Sequence, residues 1–334
     1  MVKIDYDLIY LLSENSRMKL KDLSKYLKKS PQRLKYAISM VEKEGLITDA
    51  NCLFDYGYFG SILFRAYFRG GYISDQQKVQ IVKDLETNPY IISIYDLTGE
   101  YDLAVEFAAP NPSKFNKELK KLIAFMPTLS DYKLILNLVS HIYPRQYLTK
   151  SPALQNMFFE RIIGGDRDIE TFNQNELIII KALLDNPTMR MTDLSEKSGL
   201  NVKTVNVIMK NLIKRNVVKE FKYVIDSNKL GINRSRLFLK LHYLTSEREE
   251  KLLYFASKTK EIVQLHKTVG DWDMELDIES LDKNKVRSII MEIRAEFKDV
   301  IERFNVIEVY SYFKRTYLPR YLFEDLDNKK NKSR

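Results

Sequence analysis

The chain has 334 residues, of which 45% are hydrophobic and 30% charged, a balance suited to buried cores in a globular protein. Its one cysteine, Cys52, excludes an intrachain disulfide framework and fits a reducing, cytoplasmic setting; no apolar run approaches the ~18 residues of a membrane span, and the opening five residues do not read as a signal peptide. A net charge of +9 favours an anionic partner, most commonly nucleic acid. In chain order, Leu8, Ile9, Leu11 and Leu12 give a first apolar helix face, and Leu20, Leu23 and Leu27 a second. Ser30-Pro31 is an N-cap followed by proline at the first helical position, and Leu34, Ala37, Ile38 and Val41 line the helix that Gly45 ends. Three short helices, the last two joined by a tight turn, have the helix-turn-helix plan, with Leu46-Ile47 as the start of a wing.

The period then changes. Residues 62–68 read as a strand, Ser74 caps a helix to Leu85, and Asn88-Pro89 breaks it before a strand at 90–97. Thr98-Gly99-Glu100 turns into a strand at 101–107, followed by a helix at 112–125 and a strand at 134–142. This βαββαβ order is the ferredoxin-like arrangement. Its sheet has helices on one face only, and apolar residues on both faces (Ile62, Leu63, Phe64; Leu134, Ile135, Leu136) predict that a second sheet covers the other.

After a connection at 149–171, punctuated by Ser151-Pro152 and Gly164-Gly165 around an apolar stretch expected to dock on a domain surface, the pattern starts again. Shifted by 171 residues, Asp22-Leu23-Ser24 falls on Asp193-Leu194-Ser195, Asp55 on Asp226, Gly60 on Gly231, Arg65 on Arg236, and Gly99 with Asp102 on Gly270 with Asp273. A constant offset over such a length is an internal repeat. Ile179, Ile180, Leu183 and Leu194 mark the new helices, and Asn201 caps the third, lined by Val205, Ile208, Met209 and Leu212. Val217-Val218 is the wing, and the ferredoxin-like order follows at 237–243, 247–257, 262–268, 272–278, 283–297 and 304–312. The expected fold is α+β: winged heads at 1–50 and 172–222, sheet domains at 58–148 and 229–322, the linker at 149–171 and a basic tail at 323–334, disordered from 328. The two sheets are expected to pack as a pseudo-dimer within one chain.

Both halves resemble the Lrp/AsnC, or feast/famine, transcription regulators. Those proteins join a winged helix-turn-helix to a ferredoxin-like ligand-sensing domain called RAM. The resemblance rests on Leu194-Ser195, Gly199-Leu200-Asn201, Thr204-Val205, Leu212 and Val218 in the second half, matched by Leu23-Ser24, Ser30-Pro31, Leu34, Val41 and Gly45-Leu46-Ile47 in the first. The family's glycine-acid-aromatic-Asp turn reads Gly99-Glu100-Tyr101-Asp102 and Gly270-Asp271-Trp272-Asp273. Two positions depart from it: the recognition-helix arginine is Ala37 and Ile208, and the turn glycine, present as Gly199, is Lys28 in the first half.

Cations crowd the second and third helices of each head, the surfaces such folds present to double-stranded DNA. The candidate DNA-binding residues are Lys28, Lys29, Ser30, Gln32, Arg33, Lys35 and Tyr36 in the first head, and Asn201, Lys203, Thr204, Asn206 and Lys210 in the second; Lys214, Lys219 and Lys222 extend the second run. Arg suits guanine O6/N7, and Gln or Asn suits adenine N6/N7. The resemblance implies that Gly99, Tyr101, Asp102, Gly270, Trp272 and Asp273 border a cleft for an amino-acid-like effector; they equally suit plain hairpin turns and strand-start packing. No cofactor or metal is expected: the histidines (His141, His242, His266) are scattered, and no Cys/His metal spacing or phosphate-cradling glycine loop occurs. The leading reading is a transcription regulator acting as a fused pair, with higher assembly compatible. The alternatives are an architectural DNA-binding protein and, more remotely, an enzyme like the sirohaem decarboxylases, which share this architecture.

Overall fold

A computed structural model describes residues 4–70 and 74–326. The tail expected to be disordered, 328–334, lies outside them. The first half runs α1 (Tyr6–Glu14), α2 (Leu20–Leu27), α3 (Pro31–Lys43), β1 (Ile47–Phe54), β2 (Ile62–Phe68), α4 (Asp75–Thr87), β3 (Ile91–Thr98), β4 (Leu103–Ala109), α5 (Pro112–Phe125) and β5 (Tyr132–Ile142). The connection holds α6 (Pro152–Gln155) and β6 (Arg161–Gly164). The second half runs α7 (Gln174–Asp185), α8 (Met191–Ser198), α9 (Val202–Lys214), β7 (Val218–Ile225), α10 (Ser227–Leu230), β8 (Asn233–Leu241), α11 (Ser246–Lys258), β9 (Ile262–Gly270), β10 (Met274–Ser280), α12 (Lys283–Glu296) and β11 (Ile301–Arg315). Helix starts follow the sequence caps: Ser30 accepts from the Arg33 amide, Asn111 from Lys114, and Asn173 forms a reciprocal capping box with Glu176.

Each ferredoxin-like sheet has the antiparallel order the βαββαβ plan requires. In the first, β4 sits between β2 and β3, and β5 lines the other edge of β2, with Arg65 opposite Glu106 and Ile135. In the second, β8 lies between β11 and β10, and β9 flanks β10, with Arg236 opposite Asp277 and Ile307.

The chain forms two compact units. One comprises Met1–Ala50, Val139–Ile162 and Phe221–Tyr310; the other comprises Asn51–Leu138, Ile163–Glu220 and Ser311–Arg334. Each unit therefore joins the head of one half to most of the sheet domain of the other. In the first unit, Leu8, Leu11, Leu23, Leu34 and Val41 make the head's core, and Leu148, Leu154 and Ile232 extend it. Each such fully buried leucine contributes about 1.5–3 kcal/mol relative to exposure. Leu237, Leu265, Leu276 and Ile289 form a separate core under α11 and α12. In the second unit, Phe64, Ile94, Val105 and Leu119 form the core under α4 and α5, while Ile179, Leu183, Leu194, Val205 and Leu212 are buried in the other head.

Leu134, opposite Ala66 on the helix-covered face, is exposed. On the face away from the helices, Leu63 and Ile135 are buried. That face also carries charge: Arg65 donates from Nε to Glu106 at 2.8 Å, and 171 residues on, Arg236 forms a bidentate pair with Asp277 at 2.6 and 2.8 Å. Both arginines are 1% exposed. A charge at such depth persists only when paired and hydrogen-bonded, which the cross-strand register provides.

Candidate nucleic-acid interface

The turn before each third helix is tied in the same way in both heads. Ser24 donates to the Lys29 carbonyl at 2.5 Å, and Ser195 donates to the Leu200 carbonyl at 2.5 Å. The second helix ends in the left-handed conformation in both, at Lys28 (φ 52°) and at Gly199 (φ 70°). The third helices then begin at Ser30 and Asn201, whose side chains accept the amides of Arg33 (3.3 Å) and Thr204 (2.8 Å). Capping at this point leaves the first turn of α3 and of α9 facing outward.

Of the candidate residues in the first head, Lys28, Ser30, Gln32, Arg33, Lys35 and Tyr36 are exposed. Lys28, Arg33 and Lys35 have no ion-pair partner among the described residues, and Lys21 and Lys25 join them on α2. Lys29 differs: it is half-buried and paired with Asp5. In the second head Asn201, Lys203 and Lys210 are exposed, while Thr204 and Asn206 are half-buried. Asn206 turns back, donating to the Val202 carbonyl at 2.9 Å.

Two cations expected to extend the second run lie elsewhere. Lys219 is paired with Asp55 at 3.4 Å, and Lys222 is buried with its ammonium 2.8 Å from Glu14. Arg215, at the end of α9, is held by Glu170 and Glu176. Lys219 and Lys222 both lie on β7, three positions apart and so on opposite faces of the strand, and each meets a buried carboxylate there. Along α9, the cations without an ion-pair partner among the described residues are Lys203, Lys210 and Lys214.

The glycine turns are built alike. Gly99 and Gly270 have φ of 123° and 144°, a region that favours glycine. Asp102 accepts from the Gly70 amide, and Asp273 from the Leu241 amide at 2.7 Å. Those two acceptor pairs are themselves separated by the repeat offset. Tyr101 packs on Tyr67, and Trp272 on Phe238 with the Arg303 guanidinium 4.6 Å above its ring. The side chains at these turns are therefore already engaged in fixing strand ends and packing the sheet.

The sequence reading missed a buried charge network in the first unit. Glu279 accepts from Arg145 Nε (2.8 Å), Arg234 Nε (3.0 Å) and the Tyr147 hydroxyl (2.8 Å). Glu14, on α1, accepts from Arg161 and Lys222, both at 2.8 Å, and from the Arg145 amide at 3.1 Å. Burial opposes ionisation of both carboxylates, but the surrounding cations outweigh it and hold each below the usual carboxylate range. The partners lie up to 208 positions apart in sequence, so spacing carries no signal for them. The histidines are also engaged: His141 Nδ1 lies 2.6 Å from Glu160, and His266 Nδ1 lies 2.7 Å from Ser140. Among the described residues no three His, Cys, Asp or Glu side chains gather as a metal site, and no helix is long and apolar enough to cross a membrane.

Two capped, cation-bearing winged heads on ferredoxin-like domains suit DNA binding, and comparison with known proteins finds winged helix-turn-helix transcription regulators among its relatives. The winged helix-turn-helix DNA-binding family matches it twice, at residues 1–48 and 172–219. The transcriptional regulator AzlB of Bacillus subtilis is 26% identical over 121 residues, covering 36% of this chain and 77% of that protein. The proline dehydrogenase transcriptional activator of Rhizobium radiobacter is 28% identical over 120 residues, covering 35% of this chain and 76% of that protein. Among solved structures, the sirohaem decarboxylase NirDL shares the fold across 97% of this chain and 98% of its own, at a TM-score of 0.56 and 11% identity. Each half thus carries the winged helix-turn-helix, and the chain is similar to transcription regulators over about a third of its length.

Proposed function

We propose that this chain regulates transcription as a fused pair, one polypeptide presenting two non-identical winged heads to double-stranded DNA, with a small amino-acid-like molecule as its modulator. The observation that carries this reading is the duplicated helix-turn-helix, whose third helix in each half starts at a capped, outward-facing turn flanked by unpaired lysines. The fused-pair part is supported by the constant repeat offset and by the make-up of the compact units, each of which takes its head from one half and most of its sheet from the other. A competition assay tests it. Specific regulators prefer their own site by ~10³-fold or more over random DNA. Such a ratio is expected for DNA upstream of the regulated gene, and affinity that is flat across sequences would sink the regulator reading.

One observation favours a second reading for one head only. In α9 the outward positions hold Val207, 57% exposed, and Asn206, whose amide is spent on its own helix. That face offers few groups for base edges, so the second head is suited to holding the phosphate backbone, as an architectural protein would. The first head, with free Gln32, Arg33 and Tyr36, is the reader in our proposal.

A further inference from the structure

The first unit contains a cavity of about 620 Å³ beside the first recognition helix, within the range of small-molecule sites. Its walls are largely apolar, among them Leu8, Met40, Val41, Leu148 and Leu281. Three cations reach it: Lys29, Arg33 and Lys150. Lys29 is neutralised by Asp5, but Arg33 and Lys150 have no ion-pair partner among the described residues. Of the carboxylates there, Asp7 is engaged by the Thr149 hydroxyl at 2.5 Å, and Glu44 stands at the wall with no ion-pair partner among the described residues, which disfavours a ligand of high negative charge.

At one lining position the two heads differ in side-chain size. Ala37 lines the cavity, and the position 171 residues on is Ile208, a buried core residue of the second head. Arg33 is likewise replaced there, by Thr204. The first head thus differs from its own copy at two lining positions of the recognition helix, Ala37 for Ile208 and Arg33 for Thr204.

We propose that this cavity binds an amphipathic monocarboxylate, its carboxylate on Arg33 and Lys150 and its aryl or branched-alkyl body against Met40, Val41 and Leu148. Arg33 cannot pair with a ligand carboxylate and with DNA at once, so the bound acid competes with DNA at the first head. This second step rests on the DNA-binding reading above; the binding site does not. Linkage makes the effect reciprocal: DNA weakens the acid by the factor by which the acid weakens DNA.

The test is calorimetric titration of the full chain with 4-phenylbutyrate and its neutral amide. The acid is expected to bind, with the amide about 10-fold weaker or more, as loss of a charge-assisted pair implies. Lys150→Gln should weaken the acid by about 10-fold and leave DNA affinity unchanged. Ala37→Ile, which copies the second head, should abolish acid binding with an unaltered far-ultraviolet circular dichroism spectrum. If that variant does not fold, the Lys150→Gln ratio decides. Equal affinity for acid and amide, no acid binding at millimolar concentration, or unchanged binding by Lys150→Gln overturns the site. In a DNA-binding assay, saturating acid should weaken the wild type and not Ala37→Ile; unaltered DNA affinity of the acid-bound wild type overturns the competition. Failure of the ligand-free protein to bind DNA would instead sink the regulator reading and leave the titration standing.

Discussion

Glu279 is the residue whose surroundings separate the two sheet domains most sharply. It sits 2% exposed among Arg145, Arg234 and Tyr147, whereas the repeat counterparts of Glu279 and Arg234 are Ala108 and Leu63. Removing one member of a buried pair strands the others, so Glu279→Ala is expected to cost about 3–5 kcal/mol in denaturant unfolding. Replacing the whole group by uncharged residues, with Arg145→Thr, Tyr147→Leu, Arg234→Leu and Glu279→Ala together, should recover most of that loss. A quadruple variant no better than the single would show that the cost lies in packing rather than in stranded charge. The same carboxylate sets an acid limit. Its folded pKa is depressed despite burial, because Arg145 and Arg234 prevail. The unfolded state therefore binds the proton first, and the stabilisation is complete above the ordinary carboxylate range and lost as pH falls below it. Stability measured from pH 6 downward should fall more steeply in the wild type than in the quadruple variant; parallel curves would contradict the assignment.

At the scale of elements, the turn of the first head carries a lysine where the second carries glycine. Lys28 adopts φ 52° and ψ 41°, a conformation that costs a residue with a Cβ about 1–2 kcal/mol. Lys28→Gly should stabilise the first head by about 1 kcal/mol while removing one exposed cation, and Gly199→Lys should do the reverse in the second; thermal unfolding reads both. No gain from Lys28→Gly would mean that the lysine side chain offsets its backbone strain. This asymmetry was legible in the sequence, as were the helices, because caps such as Ser30, Ser74 and Asn201 announce them locally. The wings were not. They were read as two residues each, while β1 and β7 are eight-residue strands. Asp49, Ala50 and Asn51 in β1, and Lys219 and Glu220 in β7, are residue types depleted in strands and interrupt the pattern just after each wing begins. The same underestimate misassigned Lys219 and Lys222 to the DNA face. Buried pairs such as Arg65–Glu106 stayed hidden because the partner lies 41 positions away, and nothing in an isolated strand says that its arginine faces inward.

For the whole molecule, the repeat was visible as a constant offset, but the exchange of heads between halves was not, since a linear reading assigns each head to the sheet that follows it. The consequence for DNA is that two heads of different chemistry share one chain. Reversing the charges of Lys28, Arg33 and Lys35 should weaken binding and reduce the salt slope by up to about 0.9 for each phosphate that is no longer neutralised. The matching change at Lys203, Lys210 and Lys214 should flatten the slope as well, but leave the preferred sequence intact. Selection from random DNA then separates reading from holding. Single-copy regulators that pair through a two-fold axis place identical helices on half-sites about 34 Å apart, which yields a palindrome. Here Gln32, Arg33 and Tyr36 stand opposite Lys203, Thr204 and Val207 in the repeat, and only the first set offers several donors and acceptors suited to base edges. The selected consensus should therefore be asymmetric, with one strongly specified half-site whose identity changes in Arg33→Gln and persists when Lys203 is replaced. A strictly palindromic consensus, or one that shifts on replacing Lys203, would count against a reader and a holder joined in one chain.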